Sequence, residues 1–329
     1  MDAVLIGLGK AGRRHVAACQ RIPEVTLAAI ADPSPVAAEA AAKLGIPCYS
    51  DYRAMLDRTK PAFAIIAVPH NVLSAIAVGC ANRGLHVLLE KPMGVSVGDA
   101  ETVISAVRAA RVRLMVNFVH RFRAEYRQAK SFIDAGIIGS PVLVEDSMTW
   151  GRSDLPAWVW QRATSGGGLM MYNGIHSVDR LAWLAGSSIA RVTGMMGQLC
   201  YPVAVEDNLI GTVVFESGKL GVVVQHKSDA AVTLSRWETT VWGTEGAIKV
   251  GGGTLQVISN REKVQLAVEE DDRFAGALKE FVDAVASGRD PNPGGEDGLR
   301  AIAAVMAMYE AARTGKTQEV LDHIHEHSR

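Results

Sequence analysis

The residues best suited to chemistry in this 329-residue chain lie in two short segments that are far apart in the sequence. Glu90-Lys91-Pro92 follows the apolar run His86–Leu89, which predicts a strand, so an acid and a lysine come at a carboxyl end of a strand. In open α/β sheets, ligands bind at that edge. In the second segment, after a glycine triplet, Tyr172, His176 and Asp179 have the i, i+4, i+7 spacing that places side chains on one face of a helix. Both segments therefore carry titratable groups where a ligand site is expected.

A glycine motif near the start of the chain, Gly7-Leu-Gly9-Lys10-Ala11-Gly12, predicts a phosphate-binding loop. The motif directly follows the apolar run Ala3–Ile6 and opens a predicted helix, which is the context that gives it meaning. Gly7 is expected to make the tight turn, Gly9 to let the backbone approach a pyrophosphate, and Gly12 to let the helix pack closely on the strand. The helix N-terminus would then offer unpaired N–H groups and the positive end of its dipole to an anion.

Asp32 selects between the two nicotinamide dinucleotides. It ends the second apolar run, 20 residues after Gly12, where a carboxylate accepts hydrogen bonds from the adenosine ribose. No Arg or Lys occurs from Pro33 to Ala42 to neutralise a 2′-phosphate. The sequence therefore predicts NAD rather than NADP, while a glycine turn followed by a helix-capping Asp32 is the alternative at this point.

These residues must be positioned by two differently built halves. Up to about residue 118, apolar runs alternate with amphipathic stretches, which predicts a doubly wound parallel sheet covered by helices on both faces. The predicted strands are Ala3–Ile6, Thr26–Ala31, Phe63–Val68, His86–Leu89 and Leu114–Val116, and the predicted helices are Ala11–Gln20, Pro35–Leu44, Val72–Arg83 and Val97–Ala110.

Beyond this point the pattern changes to consecutive strands. Seven strand-like runs between Val142 and Val268, separated by turn signals such as Glu216-Ser-Gly218, predict a large, open, mostly antiparallel sheet. The predicted helices here are Glu125–Ala135, Leu169–Leu184, Phe274–Ala286 and Gly298–Thr314. The predicted organisation is a Rossmann domain over residues 1–120, followed by an α+β substrate-binding and oligomerisation domain over residues 121–329.

Taken together, these segments resemble the Gfo/Idh/MocA family of sugar, cyclitol and related oxidoreductases, which join a Rossmann domain to a C-terminal α/β domain on an open sheet. The resemblance is carried by Gly7–Gly12, Asp32, Pro69 in AVPHN, Glu90-Lys91-Pro92, the glycine triplet with His176, and Glu296-Asp297-Gly298. Single motifs of this kind are weak, but their combination along most of the chain is specific.

The resemblance implies roles for individual residues. In the family, the lysine of the EKP triplet binds and polarises the substrate oxygen and the histidine after the glycine triplet acts as acid and base, which implies these roles for Lys91 and His176. An imidazole, with a reference pKa near 6.5, exchanges a proton at neutral pH far more readily than a phenol, near 10, so His176 is preferred to Tyr172 as the base. Tyr172 is given a hydrogen-bonding or relay role, and Asp179 an orienting one.

The complete predicted site has three parts. The catalytic residues are Lys91, His176 and Tyr172; the cofactor-binding residues are Gly7, Gly9, Lys10, Ala11, Gly12, Asp32, Pro69, His70, Glu90 and Lys91; and the substrate-binding residues are Lys91, Asn117, His120, Tyr172, Asn173 and His176. No metal ligand is predicted, and the alternating His323, His325 and His327 are interpreted as solvated. The loop with Trp150, Arg152, Trp158, Trp160 and Arg162 is interpreted either as a sugar-stacking surface or as part of an oligomer interface.

Two positions depart from the family pattern. Tyr172 stands four residues before His176, where the family commonly has Asp, and Leu73 stands where many members carry histidine. Either difference is expected to affect substrate choice.

Composition limits the partners. The formal charge is −1, with 34 basic and 35 acidic residues, so no net field attracts nucleic acid or an anionic membrane. The four cysteines are widely spaced and no signal peptide is evident, which predicts a cytoplasmic protein without a disulfide framework. The family resemblance implies a homodimer or homotetramer formed through the second-domain sheet.

The predicted activity is hydride transfer between NAD(H) and a hydroxyl or ketone of a sugar, inositol or related polyol. Two alternatives remain from sequence. One is a glycosidase-like or epimerase-like enzyme that uses NAD for transient oxidation, and the other is a non-catalytic NAD-binding regulator of the same fold. Retention of both Lys91 and His176 favours an enzyme over the regulator.

Overall fold

The computed structural model describes residues 1–151, 155–228, 236–260, 263–268 and 272–320, and it divides into two compact units. The first unit comprises residues 1–94, 98–119 and 272–298, and the second comprises residues 95–97, 120–271 and 299–329. Arg152, His323, His325 and His327, which the sequence analysis discussed, lie outside the described residues. None of the helices in the described part of the chain is both long and apolar enough to span a bilayer.

The first unit is built on a six-stranded parallel sheet with the order β3-β2-β1-β4-β5-β6. Its elements are β1 (Asp2–Ile6), α1 (Lys10–Arg21), β2 (Thr26–Ala31), α2 (Pro35–Lys43), β3 (Cys48–Tyr49), α3 (Tyr52–Arg58), β4 (Phe63–Ile66), α4 (His70–Ala81), β5 (His86–Leu89), α5 (Val97–Ala110) and β6 (Leu114–Val116). The chain reverses direction across the sheet between β1 and β4, which is the switch point at which doubly wound sheets bind ligands. The predicted Rossmann architecture is confirmed.

The second unit is built on a nine-stranded sheet with the order β14-β13-β12-β11-β7-β10-β9-β8-β15. Among the strand pairs of the described residues in this sheet, only β7 and β10 are parallel. Its elements include α6 (Ala124–Asp134), β7 (Pro141–Trp150), α7 (Arg162–Ser165), α8 (Ile175–Ala185), β8 (Ile189–Gly197), β9 (Asn208–Phe215), β10 (Leu220–Lys227), β11 (Arg236–Gly243), β12 (Gly246–Gly251), β13 (Thr254–Ser259), β14 (Lys263–Ala267) and β15 (Gln318–Glu319). Helix α8 packs on β7 and β10, and α6 packs on β12 and β13. The predicted open, mostly antiparallel sheet is confirmed.

The observed division of the chain differs from the predicted boundary at residue 120 in two segments, of which residues 95–97 belong to the second unit. Residues 272–298, which hold α9 (Arg273–Ser287) and the start of α10 (Gly295–Thr314), belong to the first unit. The reason is packing, because the apolar face of α9 lies against α1 and β5. Phe281 packs edge-on against Phe63 of β4, with ring centroids 5.2 Å apart. A single boundary along the sequence cannot describe this division, because residues 272–298 return to the first sheet.

The predicted helix Leu169–Leu184 is not a regular α-helix throughout. Met170–Gly174 forms a π-helical turn, and α8 begins only at Ile175. Such turns occur frequently at functional sites, because they shift the side chains that follow. The i, i+4 spacing of Tyr172 and His176 therefore spans the π-helical turn rather than a continuous α-helix, and the expectation that they share one face stays a prediction.

Candidate active site

The phosphate loop has the local geometry that the three glycines were predicted to allow. Gly7 has a φ of +94°, and its N–H donates to the carbonyl of Ala31 at 2.8 Å. A Cβ on Gly7 would lie 2.3 Å from the carbonyl oxygen of Ala67, and a Cβ on Gly12 would lie 2.0 Å from that of Gly7. A Cβ on Gly9 would meet nothing within 4 Å, so the loop leaves open space at the residue expected to face a pyrophosphate. These residues fit a dinucleotide.

The carboxylate of Asp32 ties this loop to the end of β2. Its Oδ2 accepts the N–H of Leu8 at 2.8 Å and its Oδ1 accepts the N–H of Ser34 at 2.9 Å. Each oxygen retains a second lone pair, because a carboxylate offers about four acceptor sites. Asp32 is half-buried, so it can hold the loop and still accept hydrogen bonds from ribose hydroxyls.

Four further predicted cofactor-binding residues follow the ends of parallel strands. Lys10 and Ala11 form the first turn of α1, directly after the loop. Pro69 is the N-cap of α4, and His70 begins that helix in a buried position. The strand ends meet at the ligand-binding edge of a doubly wound sheet.

Glu90 is held by a buried cluster of side chains. It accepts hydrogen bonds from Asn117 Nδ2 at 2.7 Å and from His15 Nε2 at 3.0 Å. Asn117 and His15 are buried, and the edge of Phe274 packs against His15 with ring centroids 5.0 Å apart. Burial alone would raise the pKa of Glu90, but the hydrogen bonds and charges of His15, Lys91 and Asn117 hold it below its usual range. Glu90 is therefore an anchored carboxylate.

This cluster bears on two predictions. Asn117 was predicted to contact substrate and Glu90 to contact cofactor, whereas the structure joins both side chains to His15. Sequence reasoning did not single out His15. The available signal was a histidine on the apolar face of α1, three residues after the last glycine of the loop. Ligand contacts of Asn117 and Glu90 stay predictions.

Lys91 follows Glu90 at the end of β5 and is half-buried. Burial lowers the pKa of Lys91 from 10.5 to about 8, while the negative charge of Glu90 opposes this change. At neutral pH most molecules keep the ammonium, and a modest rise in pH removes it. Such a perturbed lysine is typical of functional sites.

In the second unit, Glu206 fixes the segment that carries Tyr172 and His176. Its carboxylate accepts the N–H groups of Gly168 at 2.8 Å and Met170 at 3.0 Å, and the hydroxyl of Tyr309 at 2.7 Å. Burial raises the pKa of Glu206, although these hydrogen bonds act in the opposite direction. The carboxylate therefore satisfies N–H groups at the start of the helix, as a capping residue does.

The glycine triplet makes this approach possible. A Cβ on Gly167 would lie 2.2 Å from the hydroxyl of Tyr309, and a Cβ on Gly168 would lie 2.0 Å from the carbonyl oxygen of Glu206. Gly166 has a φ of +79°, which ends α7 in the left-handed region. The triplet is thus explained by close packing around Glu206, which the sequence analysis did not identify.

His176 lies flat against His120. Their ring centroids are 4.3 Å apart with an angle of 8° between the ring planes, and both side chains are buried. Nδ1 of His120 accepts a hydrogen bond from the guanidinium of Arg180. Arg180 is also bound to both carboxylate oxygens of Asp146, at 2.7 and 2.8 Å. The structure thus joins His120, which was predicted to bind substrate, to His176.

Asp179 forms an ion pair with an arginine other than Arg180. Arg121 donates from Nε to both carboxylate oxygens of Asp179, at 3.0 and 3.1 Å. Both side chains are buried. The sequence analysis gave Asp179 the role of orienting His176; its observed bidentate partner is Arg121, and the partner of Arg180 is Asp146.

Tyr172 belongs to an aromatic wall, defined here as Trp150, Trp158, Tyr172 and Trp237. Tyr172 meets Trp158 and Trp150 edge-on, with ring centroids 5.9 and 6.2 Å apart. Trp150 stacks on Trp237 at 5.7 Å, and Trp237 contacts His120 at 4.8 Å. The wall therefore continues to the pair of stacked histidines.

The wall includes only part of the predicted aromatic loop. Trp160 packs instead against Tyr201, and Arg162 lies over the ring of Tyr309. Trp237 was missed, because it lies on β11, some 90 residues from Trp150 in sequence, and only the sheet register brings β11 beside β7. Asn173 lies in the π-helical turn and is half-buried.

Comparisons with known proteins agree with this architecture. Residues 1–118 match the family model described as oxidoreductase family, NAD-binding Rossmann fold, and residues 126–249 match the GFO/IDH/MocA C-terminal domain. The 1,5-anhydro-D-fructose reductase of Ensifer adhaerens is 28% identical over 72% of this chain and 73% of its own length. The myo-inositol 2-dehydrogenase of Thermotoga maritima is 25% identical over 96% of this chain and 98% of its own.

Solved structures share the fold. An oxidoreductase from Agrobacterium radiobacter, in complex with NAD+, L-tartaric acid and magnesium, has a TM-score of 0.89 at 21% identity and covers 98% of this chain and 99% of its own. A levoglucosan dehydrogenase in complex with NADH has a TM-score of 0.88 at 22% identity, covering 97% and 99%.

Proposed function

Because the chain belongs to the Gfo/Idh/MocA family of oxidoreductases and carries an NAD-binding Rossmann domain, we propose that it transfers a hydride between NAD(H) and a hydroxyl or ketone of a sugar, inositol or related polyol. The observation that carries the proposal is a pair of proton-handling groups in an NAD-binding chain. They are Lys91, whose pKa is lowered to about 8, and His176, a buried imidazole held flat on His120.

The chemistry divides between the bound nucleotide and the protein. When bound, the nicotinamide supplies the hydride acceptor for oxidation and the hydride donor for reduction. In oxidation, an imidazole nitrogen of His176 takes the hydroxyl proton as the carbonyl forms. The Lys91 ammonium donates a hydrogen bond to the same oxygen and favours its developing negative charge. In reduction, Lys91 polarises the carbonyl and His176 returns the proton.

The aromatic wall supports a ring-shaped substrate. Trp150, Trp158, Tyr172 and Trp237 are half-buried, so each retains some accessible surface. Large aromatic faces bind the apolar C–H faces of ring compounds, while polar groups nearby fix their orientation. The names of the reductase from Ensifer adhaerens and the dehydrogenase from Thermotoga maritima, an anhydrofructose and an inositol enzyme, agree with a cyclic polyol.

The experiment is a panel of cyclic polyols, sugars and their ketones, followed by NADH absorbance. With an accepted substrate, His176→Ala and Lys91→Ala should each lower kcat/KM by about 10²- to 10⁴-fold, because each loses a proton-transfer or charge-stabilising group. NAD affinity, measured separately by calorimetry, should remain within a few-fold in His176→Ala.

Two control variants match these changes. His226 bonds to Asn208 on the neighbouring strand and Lys130 pairs with Asp134 on a helix surface, so His226→Ala and Lys130→Ala should retain turnover. Unchanged turnover in both His176→Ala and Lys91→Ala would contradict the proposal. Product without accumulation of NADH would indicate transient oxidation instead, and NAD binding without turnover of any compound would indicate a regulator.

We also propose that the second unit pairs with a second copy of the chain. On the outer face of its sheet, Met195, Ile210, Leu220 and Trp242 are 79%, 56%, 54% and 46% exposed. Exposed apolar residues clustered on one sheet face are typical of interfaces between subunits. Ile210→Glu should convert a dimer or tetramer to a smaller species in light scattering; a wild-type chain that is monomeric at micromolar concentration would contradict this proposal.

A further inference from the structure

The contact between His120 and Arg180 determines where the proton of His120 lies. Every N–H of a guanidinium is a donor, and the group stays protonated in proteins. Arg180 can therefore only donate to Nδ1 of His120, which must be the unprotonated nitrogen of that ring. The proton of a neutral His120 consequently lies on Nε2.

Arg180 is itself held firmly in this orientation. Both Arg180 and Asp146 have side chains with 0% exposure, and two hydrogen bonds join them. Thr239 donates to the same carboxylate at 2.6 Å, and Arg180 also reaches the hydroxyl of Ser177 at 3.1 Å. Burial alone would lower the pKa of Arg180, but the negative charge of Asp146 outweighs this effect, so the pKa of Arg180 is raised. The guanidinium cannot turn away without leaving Asp146 buried and unpaired.

Protonation of His120 is therefore unfavourable. A second ring proton would have to bind to Nδ1, which faces the guanidinium of Arg180. The hydrogen bond between them would then be lost, and two buried cations would repel each other. Two aromatic neighbours of the ring supply no negative charge that would offset this. Trp237 is uncharged, and burial raises the pKa of Tyr126, which keeps its phenol neutral. The negative charge of Asp146 is already bound by Arg180 and Thr239.

His176 shares this environment. Its ring lies parallel to that of His120 at a centroid separation of 4.3 Å. If both rings became cationic, their charges would repel across this distance. A neutral His120 instead presents an aromatic face to an imidazolium, which is a favourable arrangement.

We infer that His120 is a positioning residue for His176: Arg180 holds it as the neutral Nε2–H tautomer, and its ring face fixes the orientation of His176. The role of His176 in catalysis rests on the proposed function, whereas the tautomer of His120 does not. The two ideas can therefore fail separately.

The tautomer is tested in the full-length protein by ¹⁵N NMR of labelled histidine side chains, with His120→Phe used to assign the resonances. The expected result is an imidazole with unprotonated Nδ1 and protonated Nε2 at every pH between about 5 and 8, where an ordinary histidine titrates. Titration of His120 within this range, or a proton on Nδ1, would overturn the inference even if no substrate were known.

A double replacement tests the cause. Asp146→Leu and Arg180→Met are made together, because removal of one partner leaves a buried charge, while apolar replacement of a whole buried ion pair is often tolerated. In this variant the His120 resonance should begin to titrate. A His120 that still does not titrate would show that Arg180 does not hold the tautomer.

Kinetics test the effect on His176. His120→Phe keeps a flat ring against His176 and His120→Ala does not, so kcat should be about two- to tenfold higher in the Phe variant, the range of an aromatic pair contact. The pH profile of His120→Phe should also keep every ionisation seen in the wild type. Equal kcat in the two variants, or loss of an ionisation in His120→Phe, would overturn the positioning role. If neither variant folds, the NMR experiment on the wild type still decides.

Discussion

Replacement of Lys91 by arginine should remove the alkaline limb of the pH profile for polyol oxidation. Burial lowers the pKa of Lys91 to about 8, and the proposed role needs its ammonium. In the wild type, kcat/KM should therefore fall by about tenfold per pH unit above this pKa. Arginine stays charged across this range, so Lys91→Arg should be less active but flat above pH 8.

The same pKa has a consequence for stability, and its sign follows from proton counting. An unfolded lysine titrates near 10.4, and folded Lys91 titrates near 8. Between these values the unfolded chain holds a proton that the folded chain has lost, so the free energy of unfolding rises with pH across this window. Below pH 8 the folded state keeps a buried ammonium, at a cost of up to about 3 kcal/mol.

Lys91→Met removes this group. The variant should exceed the wild type in stability at pH 7 by about 1–3 kcal/mol, since half-burial leaves the ammonium part of its hydration, and should lose the rise between pH 8 and 10. Urea unfolding followed by tryptophan fluorescence measures both quantities. The control is Lys130→Met, which breaks a surface pair with Asp134. An alkaline limb that persists in Lys91→Arg, together with an unstabilised Lys91→Met, would refute the reasoning.

Four further variants test the cofactor loop and the aromatic wall. Gly9→Ala should weaken NAD binding by at least about tenfold without changing Tm, because its Cβ meets only open space, whereas Gly12→Ala should lower both, since its Cβ would lie 2.0 Å from a carbonyl oxygen. Asp32→Ser should reduce the preference for NAD over NADP by about tenfold or more in paired binding titrations, because a carboxylate no longer repels the 2′-phosphate. Trp237→Ala should raise KM for a cyclic substrate several-fold. The control is Trp242→Ala, which changes an exposed residue of the same strand and should leave KM unchanged. Equal KM values in the two variants would show that the aromatic wall does not bind the substrate.

Features of the site that depend on neighbours in sequence could be predicted. The three glycines of the loop and Asp32 act through backbone geometry within about 25 residues, so the βαβ pattern was enough to assign them. The alternation of apolar runs and helices likewise predicted the parallel sheet and its strands, apart from the two-residue β3. Strand β8 was missed because its exposed face carries methionines, which weakens the polar and apolar alternation.

Features of the site that depend on residues far apart in the sequence could not be predicted. His15 and Glu90 are separated by 75 positions, and Trp150 reaches Trp237 only because β7 pairs with β11. The segment that leads into the π-helical turn before α8 is capped by Glu206, whose carboxylate accepts N–H groups 36 and 38 residues earlier. Helical periodicity depends only on residues close together in the sequence and cannot reveal a cap from a distant residue. The sequence therefore predicted a regular helix there.

The return of residues 272–298 to the first unit leads to a prediction about truncation. A chain that ends after residue 120 should not fold into a stable NAD-binding domain, because it lacks Phe274, Leu278 and Phe281 of α9, all buried. Burial of three such side chains contributes on the order of 5–9 kcal/mol, comparable with the whole stability of a domain. The truncated chain also loses the carbonyl of Pro293, which accepts the N–H of Val116 in β6.

Residues 272–298 joined to residue 120 through a flexible linker should restore what truncation removes, because the segment then meets α1 and β5 as in the full chain. Circular dichroism and NAD titration of both chains measure the effect, and the same fusion with Phe281→Asp, which places a charge against Phe63, is the matched control. Cooperative unfolding and full NAD affinity in residues 1–120 alone would contradict the argument. It would show that the parallel sheet and helices α1 to α5 bury enough apolar surface for a stable domain without α9.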